Sequence, residues 1–544
     1  MPSLRYLILP IAIACCAIDS VEAQQTSRTS VSSAGVQSDR ASNRPDISDD
    51  GMWVCYETQS TNVIPDDTNF VQDVYLVDLA TGINQRISVA TGGIQANGES
   101  KRPVISGNGK FVTFTSLASN FDTLDFNLTY DIFVRDLTSG TTTLVSRGLS
   151  TLSGNGLSTR PAINTDGNCI AFRSLASDLV AGDLNLIDDI FVYDRTLGTL
   201  QRVSTGPLGV EGNATSDRPT ISGDGNLIAF WSDATNLVTS DLNLQRDIFM
   251  HDRSTGTTSL ISVDSLGVQG NGPSTRPDFS SDGRFIVYSS LASNLVAGDT
   301  NAVKDIFVRD LLLGTTELIS KNNAGEIGDD LSSVPRISAD GRYVTYRSIA
   351  SNLVEGDSNN AEDVFLHDRQ TGVTTILSRS TSGNQGNAHS SRPAISADGQ
   401  KTIFQSFATN LVDADTNLEE DVFLHEGTGW SGPPAFDSIF LTGPATALAG
   451  TSAEFNWSDA PPSSTYWLVY SFSLNGMNAF GHTFDIGAPY TVLANGVCTP
   501  TGTGTFTSPP LPQQAIGLTV YLELGALDAN SVLSDSNAVA MTIL

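Results

Sequence analysis

The chain has 544 residues, a formal net charge of −30, only 16% charged residues and 48 Gly. Acidity on this scale repels a phosphate backbone and argues against a nucleic-acid partner. Low charge with abundant Gly favours a turn-rich β architecture, and the length leaves room for roughly two to four domains.

The first element is a secretory signal peptide, expected over residues 1–23. Arg5 supplies the positive start and Tyr6 to Ala17 an apolar stretch too short to span a bilayer. Val21-Glu22-Ala23 supplies a small-residue cleavage site. The competing reading is a lipoprotein signal cut before Cys15, for which Ala12-Ile13-Ala14-Cys15 is a weak match. The expected location is secreted or periplasmic after signal peptide cleavage, with lipid anchoring through Cys15 as the alternative. No other segment is long and apolar enough to cross a membrane. Beyond the signal lie Cys55, Cys169 and Cys498. They are too few and too scattered for a disulfide framework and read as buried small hydrophobes.

A repeat follows. Pro45, Pro103, Pro161, Pro219, Pro277, Pro335 and Pro393 stand 58 residues apart, and each opens a phrase such as "RPVISGNGKFVTF". An Asp-Gly or Asn-Gly pair between two alternating apolar runs marks a hairpin, because those residues reach positive φ cheaply. An acidic loop comes next, then a run such as "DIFVRD", a Thr-Gly turn, and a fourth run ending in Ser. Four short antiparallel strands repeated seven times predict an all-β, seven-bladed β-propeller over 24–429 with almost no helix. The seventh copy lacks its fourth strand. "TSRTSVSSAGVQ", Thr26 to Gln37, matches "TSLISVDSLGVQ", Thr258 to Gln269, so an N-terminal strand is expected to close the ring. A Pro/Gly linker is expected over 430–435, and a small C-terminal β-sandwich over 436–544.

The phrases "SADGRYVTYRS" and "EDVFLHDRQTG" resemble the TolB-like, WD-like propeller repeat, whose units read Ser-x-Asp-Gly, a strand, then Asp-Ile-Tyr-Val-x-Asp. The resemblance spans Gln24 to Gly429. It implies a non-catalytic propeller that binds protein partners in the periplasm. The chain differs in a longer loop between second and third strands, a longer link between blades, and no helical N-terminal domain.

The acidic loops would decorate one rim. They are Asp67/Asn69/Asp73, Asp125/Asn127/Asp131, Asp183/Asn185/Asp189, Asp241/Asn243/Asp247, Asp299/Asn301/Asp305, Asp357/Asn359/Asp363 and Asp415/Asn417/Asp421. Two readings compete. Carboxylates and Asn amides at positions one, three and seven of a tight loop can converge on Ca²⁺. The same residues build hydrogen-bonded turns without metal, and the spacing lacks the Gly and Glu of an EF-hand. A second ring, Arg44, Arg102, Arg160, Arg218, Arg276 and Arg392, precedes the repeat Pro, with Val334 in the sixth copy. These would sit near the channel mouth, either as an anion-attracting funnel or partner contact, or as ion pairs holding blade to blade. His251, His367 and His425 share one repeat position with Arg135, Tyr193 and Arg309, which suggests a solvated strand site. No nucleophile elbow, zinc helix, phosphate loop or Cys-x-x-Cys occurs. The expected function is therefore a secreted, non-catalytic scaffold whose rim binds a protein or polysaccharide, with Ca²⁺ as a candidate stabiliser. The alternatives are a polysaccharide-active hydrolase or lyase using rim carboxylates, and a structural envelope or surface protein.

Overall fold

In each repeat, alternation sets one strand face inward and Asp-Gly or Asn-Gly makes the reversal. In the first blade the Ser48 hydroxyl donates to Asp50 Oδ1 at 2.5 Å, and the Met52 N–H donates to the same oxygen at 2.9 Å. Gly51 then takes φ +63°, open to glycine at no steric cost. A computed structural model describes residues 25–427 in full and, beyond them, the backbone of strands between Phe440 and Ile543. The signal segment 1–23, Cys15, the linker 430–435 and Cys498 lie outside the described residues.

Each of the first six blades is a four-stranded antiparallel meander. In the first these strands are Ser42–Ile47, Trp53–Thr58, Asp73–Asp78 and Ile83–Arg86. The seventh blade contributes three strands, Ser390–Ile395, Lys401–Ser406 and Asp421–Glu426, and takes Gln25–Arg28 as its fourth. The register runs from Gln25 opposite Glu426 to Arg28 opposite Phe423. The N-terminal strand expected to close the ring does so. Among the described residues, helix is confined to a 3₁₀ turn at Pro207–Gly209.

The core lies between blades. One cluster joins Cys55, Val74 and Leu76 of the first blade to Val112, Phe114 and Phe133 of the second, and another joins Val54 and Tyr75 to Ile403 and Val422 across the closure. Within every blade an aromatic pair bridges the second and third strands, from Tyr56–Tyr75 to Phe404–Phe423, with centroids near 6 Å. Such pairs add about 0.5–1.5 kcal/mol each beyond their area. Cys55 and Cys169 are buried and free.

Antiparallel strands alternate direction, so the loops between second and third strands and the links between blades share one face of the ring. The tight turns occupy the other. The chain divides into two compact units, 1–429 and 430–544. In the second, Phe440–Thr442, Glu454–Ser458 and Gly504–Thr507 form one sheet, while Thr465–Ser471 lies between Thr491–Val497 and Thr519–Leu527 in a larger one. The packing that would make them the expected sandwich lies outside the described residues.

Candidate functional site

All seven acidic loops open on the link face and share one construction. In the fifth blade the Val303 N–H donates to Asn301 Oδ1 at 3.2 Å. Asn301 Nδ2 donates to Asp305 Oδ2 at 2.8 Å and to the Gly328 carbonyl of the outgoing link at 2.9 Å. The Ser320 hydroxyl donates to Asp305 Oδ1 at 2.6 Å. A Ser hydroxyl meets the third-strand Asp in every blade. In the seventh the donor is Ser30 of the N-terminal segment, and Gln37 reaches Asp415 and Asp421 at 2.8 and 3.1 Å. The recurring Ser that ends each fourth run was visible in the sequence, but its bond to an Asp fifteen residues earlier was not.

Of the two readings, the asparagines take up the geometry of the hydrogen-bonded turn. Asn69, Asn127, Asn185, Asn243, Asn301, Asn359 and Asn417 all point Nδ2 at the third-strand carboxylate, that of Asp73, Asp131, Asp189, Asp247, Asp305, Asp363 and Asp421 in turn. The same Nδ2 donates to a carbonyl of the link: Ala96 for Asn69, Gly154 for Asn127, Gly212 for Asn185, Gly270 for Asn243, Gly386 for Asn359 and Ser38 for Asn417. In all seven, Oδ1 accepts the backbone N–H two residues on. The physical reason is that a carboxylate and a carbonyl on one side of the amide both require a donor, which leaves the amide oxygen for the backbone. For Ca²⁺ to use one of these asparagines, the amide would have to turn over and break three hydrogen bonds.

Several of the carboxylates have protein partners, while Asp241 Oδ2 is buried without one. Asp67, Asp125, Asp183, Asp241 and Asp299 are buried, and Asp357 and Asp415 partly so. Gln95, Gln269 and Gln385 donate to Asp67, Asp241 and Asp357. Arg86 and Arg202 reach both aspartates of their loops. The third-strand aspartates are fully buried. Burial pushes Asp131 up to about 7 and Asp189, Asp247, Asp305 and Asp363 up to about 6, against the lowering pull of the Ser hydroxyl. Ca²⁺ takes about six to eight oxygens, and among the described residues no group of three or more His, Cys, Asp or Glu converges as a metal cluster.

The residue after each Asn is forced into the left-handed region: Phe70, Leu128, Leu186, Leu244, Ala302, Asn360 and Leu418 have φ between +53° and +59°. In the second to fourth blades this residue and the one before Asn are both large and apolar. Leu184 and Leu186 are 80% and 75% exposed, Leu242 and Leu244 81% and 78%, and Phe126 and Leu128 project similarly.

The arginine ring sits on the first strands, toward the same face. Each first strand carries a bulge there, and Arg44, Arg102, Arg160, Arg218, Arg276, Val334 and Arg392 all take φ between +51° and +58°. Arg44 pairs with Glu57 at 3.0 Å, and Arg160 with Asp217 at 3.0 Å. Among the described residues, Arg102, Arg218, Arg276 and Arg392 have no carboxylate within ion-pair distance. The blade-to-blade ion pair thus describes Arg160, whose partner belongs to the next blade, and not the whole ring.

The histidines correct the expectation of a solvated site. His251, His367 and His425 are buried, and burial pushes His367 and His425 down to about 4. Each ring Nδ1 meets a Thr hydroxyl that itself donates to a carbonyl of the neighbouring link: Thr258 to Thr205, Thr374 to Lys321, Thr26 to Arg379. Arg135 and Arg309 reach the matching Thr142 and Thr316. The position accepts His or Arg because either can bind that hydroxyl.

No protein-family model matches the sequence, and no curated protein is similar to it. Among solved structures, a protein assigned as TolB from Agrobacterium tumefaciens is 17% identical, over 51% of this chain and 80% of that one, with a TM-score of 0.33. A family 117 glycoside hydrolase from Zobellia galactanivorans is 11% identical over 51% and 86%, with a TM-score of 0.23. The extracellular domain of a hybrid two-component system from B. thetaiotaomicron is 8% identical over 91% and 86%, with a TM-score of 0.21. Likenesses this low carry no argument about activity. Among the described residues, no helix is long and apolar enough to cross a membrane.

Proposed function

We propose that the chain is a secreted, non-catalytic scaffold whose propeller engages a protein partner through the link face. The observation that supports this is the set of apolar tips at Phe126, Leu128, Leu184, Leu186, Leu242 and Leu244, exposed on three successive blades. Exposed large apolar side chains grouped two to a loop, rather than scattered singly, suit an interaction site, and large side chains projecting into water suit a protein surface better than a hydroxylated polysaccharide. Holding leucine at positive φ costs about 1–2 kcal/mol per residue, a cost that solvent exposure does nothing to offset. In this reading the acidic loops are metal-free turns that hold the tips outward, and where the two carboxylates of a loop are bridged the bridge is a Gln amide or an Arg guanidinium.

The test places a photocrosslinking residue at Leu186 or Leu244, and at Leu197 on the turn face, in the producing cells. A discrete protein adduct is expected from the first two positions and not from the third, and Leu128→Asp should weaken it. Product release from a panel of polysaccharides would overturn the non-catalytic reading in favour of a hydrolase or lyase.

A further inference from the structure

The first strands place an arginine head group at the channel mouth in six of seven blades. The seventh position shows what this placement means. Val334 takes φ +57° in the same bulge, although a β-branched residue rarely adopts that conformation. The bulge is therefore imposed by the ring, and nothing in the backbone asks for arginine. A reason for arginine must lie in its guanidinium.

Few counter-charges are available to those groups. One oxygen of Glu57 serves Arg44, while the other accepts the Arg102 backbone N–H at 2.5 Å. Asp217 serves Arg160 and Arg173, Asp188 serves Arg173, and Glu362 serves Arg347. Glu420 accepts from Gln405 Nε2 at 2.5 Å. Arg102, Arg218, Arg276 and Arg392 are half-buried and, among the described residues, have no carboxylate within ion-pair distance. Glu57 acts on Arg102 and Arg392, Asp217 on Arg218 and Glu420 on Arg392 from farther off, and each of these carboxylates already serves another group. Burial, then repulsion from other arginines of the ring, holds Arg102, Arg218 and Arg276 down to about 9 and Arg392 to about 10. They remain charged at neutral pH and face one another.

Below the mouth the charge reverses. The inner end of the channel holds a cavity of about 210 Å³ lined by all seven blades, with Asp46, Asp49 and Asp278 against Arg336 alone. Arg336 pairs with Asp278 at 3.4 Å. A cationic collar above an acidic floor stops an anion at the collar.

We propose that this collar is a binding site for a compact oxyanion carrying two or more negative charges, held by Arg102, Arg218, Arg276 and Arg392. The guanidinium fork binds carboxylate and phosphate oxygens bidentately, and a low-dielectric funnel of one sign concentrates the opposite one. Convergence around one axis selects a small polyvalent group over an extended chain of single charges. The site is independent of the apolar tips.

The test is calorimetric titration of the full chain with sodium tripolyphosphate and, separately, with citrate, at low salt and neutral pH. One saturable event per chain is expected, with a rise in Tm, because a ligand that binds only the native state stabilises it. Arg218→Gln/Arg276→Gln should weaken binding at least tenfold, and Arg102→Gln/Arg392→Gln is the second pair should the first fail to fold. Arg284→Gln/Arg342→Gln, whose arginines pair with Asp310 and Asp368 on the turn face, should leave it unchanged. Binding of tripolyphosphate alone assigns a phosphate-bearing ligand, and of citrate alone a carboxylate-bearing one. No saturable heat with either probe, or undiminished binding by both collar variants, overturns the proposal. Crosslinking from Leu186 should be untouched by the collar variants, so the two readings fail separately.

Discussion

Asn301→Asp separates a turn from a metal loop by the sign of its effect. The substitution is nearly isosteric, and its surviving oxygen still accepts the Val303 N–H. The two Nδ2 bonds, to Asp305 at 2.8 Å and to the Gly328 carbonyl at 2.9 Å, become contacts between acceptors. A hydrogen bond to a charged group is worth about 1.5–3 kcal/mol and a neutral one about 1, so the loss is about 3 kcal/mol before the two carboxylates repel. Unfolding entropy near 2.1 cal/mol/K per residue over the ring converts this to a fall in Tm of about 4 °C. Asp305 is already pushed up to about 6 by burial, and a second carboxylate raises it further. The deficit should therefore be full at about pH 8 and shrink near pH 5, where a shared proton turns one acceptor back into a donor. Differential scanning fluorimetry at both pH values, with chelator and with millimolar calcium, reads all of this. A cation site would behave oppositely, because an added carboxylate strengthens Ca²⁺ binding. Recovery of the variant by calcium, or a chelator-induced fall in the wild-type Tm, would refute the turn.

Leu244→Asn should raise stability by about 1 kcal/mol, since Asn tolerates φ +55° and the Leu side chain is solvent-exposed; the same variant should lose adducts at Leu186, and unchanged stability would show that the backbone is not strained there. Gly341→Ala should be far worse than Gly35→Ala: both have positive φ, but a Cβ at Gly341 would sit 2.2 Å from Phe285 Cδ2 while one at Gly35 meets nothing, so about 3 kcal/mol is expected against about 1. Equal costs by urea unfolding would mean the turn does not press on the preceding blade. For pH, Asp46, Asp131, Asp189, Asp247, Asp305 and Asp363 have raised values, so their contribution is complete below an unfolded value near 3.9 and is lost as pH rises through about 6–7. His367 and His425 oppose this between about 6.5 and 4, and His251, also lowered by burial, acts in the same direction, because the unfolded state takes their protons more readily. The carboxylates outnumber the imidazoles, so Tm should be higher near pH 5.5 than near pH 8; the reverse order would sink the burial account.

The ring was legible because its determinants are local and periodic. Asp-Gly turns, alternation and a 58-residue spacing specify strands one blade at a time, and the match of Thr26–Gln37 to a fourth strand located the closure. What the sequence could not show was partnership across distance. Asp67/Asn69/Asp73 read equally as ligands or as a turn, because the choice depends on which end of the Asn amide faces the carboxylate, and that is fixed by the Ala96 carbonyl 27 residues away. The histidines misled for a related reason: variation among His, Arg and Tyr looks like solvent tolerance until the Thr hydroxyl of the next strand, common to His and Arg, is seen. The arginines are the sharpest case. Identical spacing made them a ring, but one pairs within its blade, one pairs with the next, and four have no carboxylate within ion-pair distance among the described residues. A repeat places like residues in like backbone, yet it does not give them like neighbours. In this propeller the strands repeat almost unchanged while their partners differ from blade to blade, as at Glu57, Trp231 and Gln405 on equivalent second strands. The apolar tips crowd three blades and the free arginines fall on four. Both proposed sites draw on that broken symmetry: the tips through side chains that differ between copies, the collar through acidic partners that do.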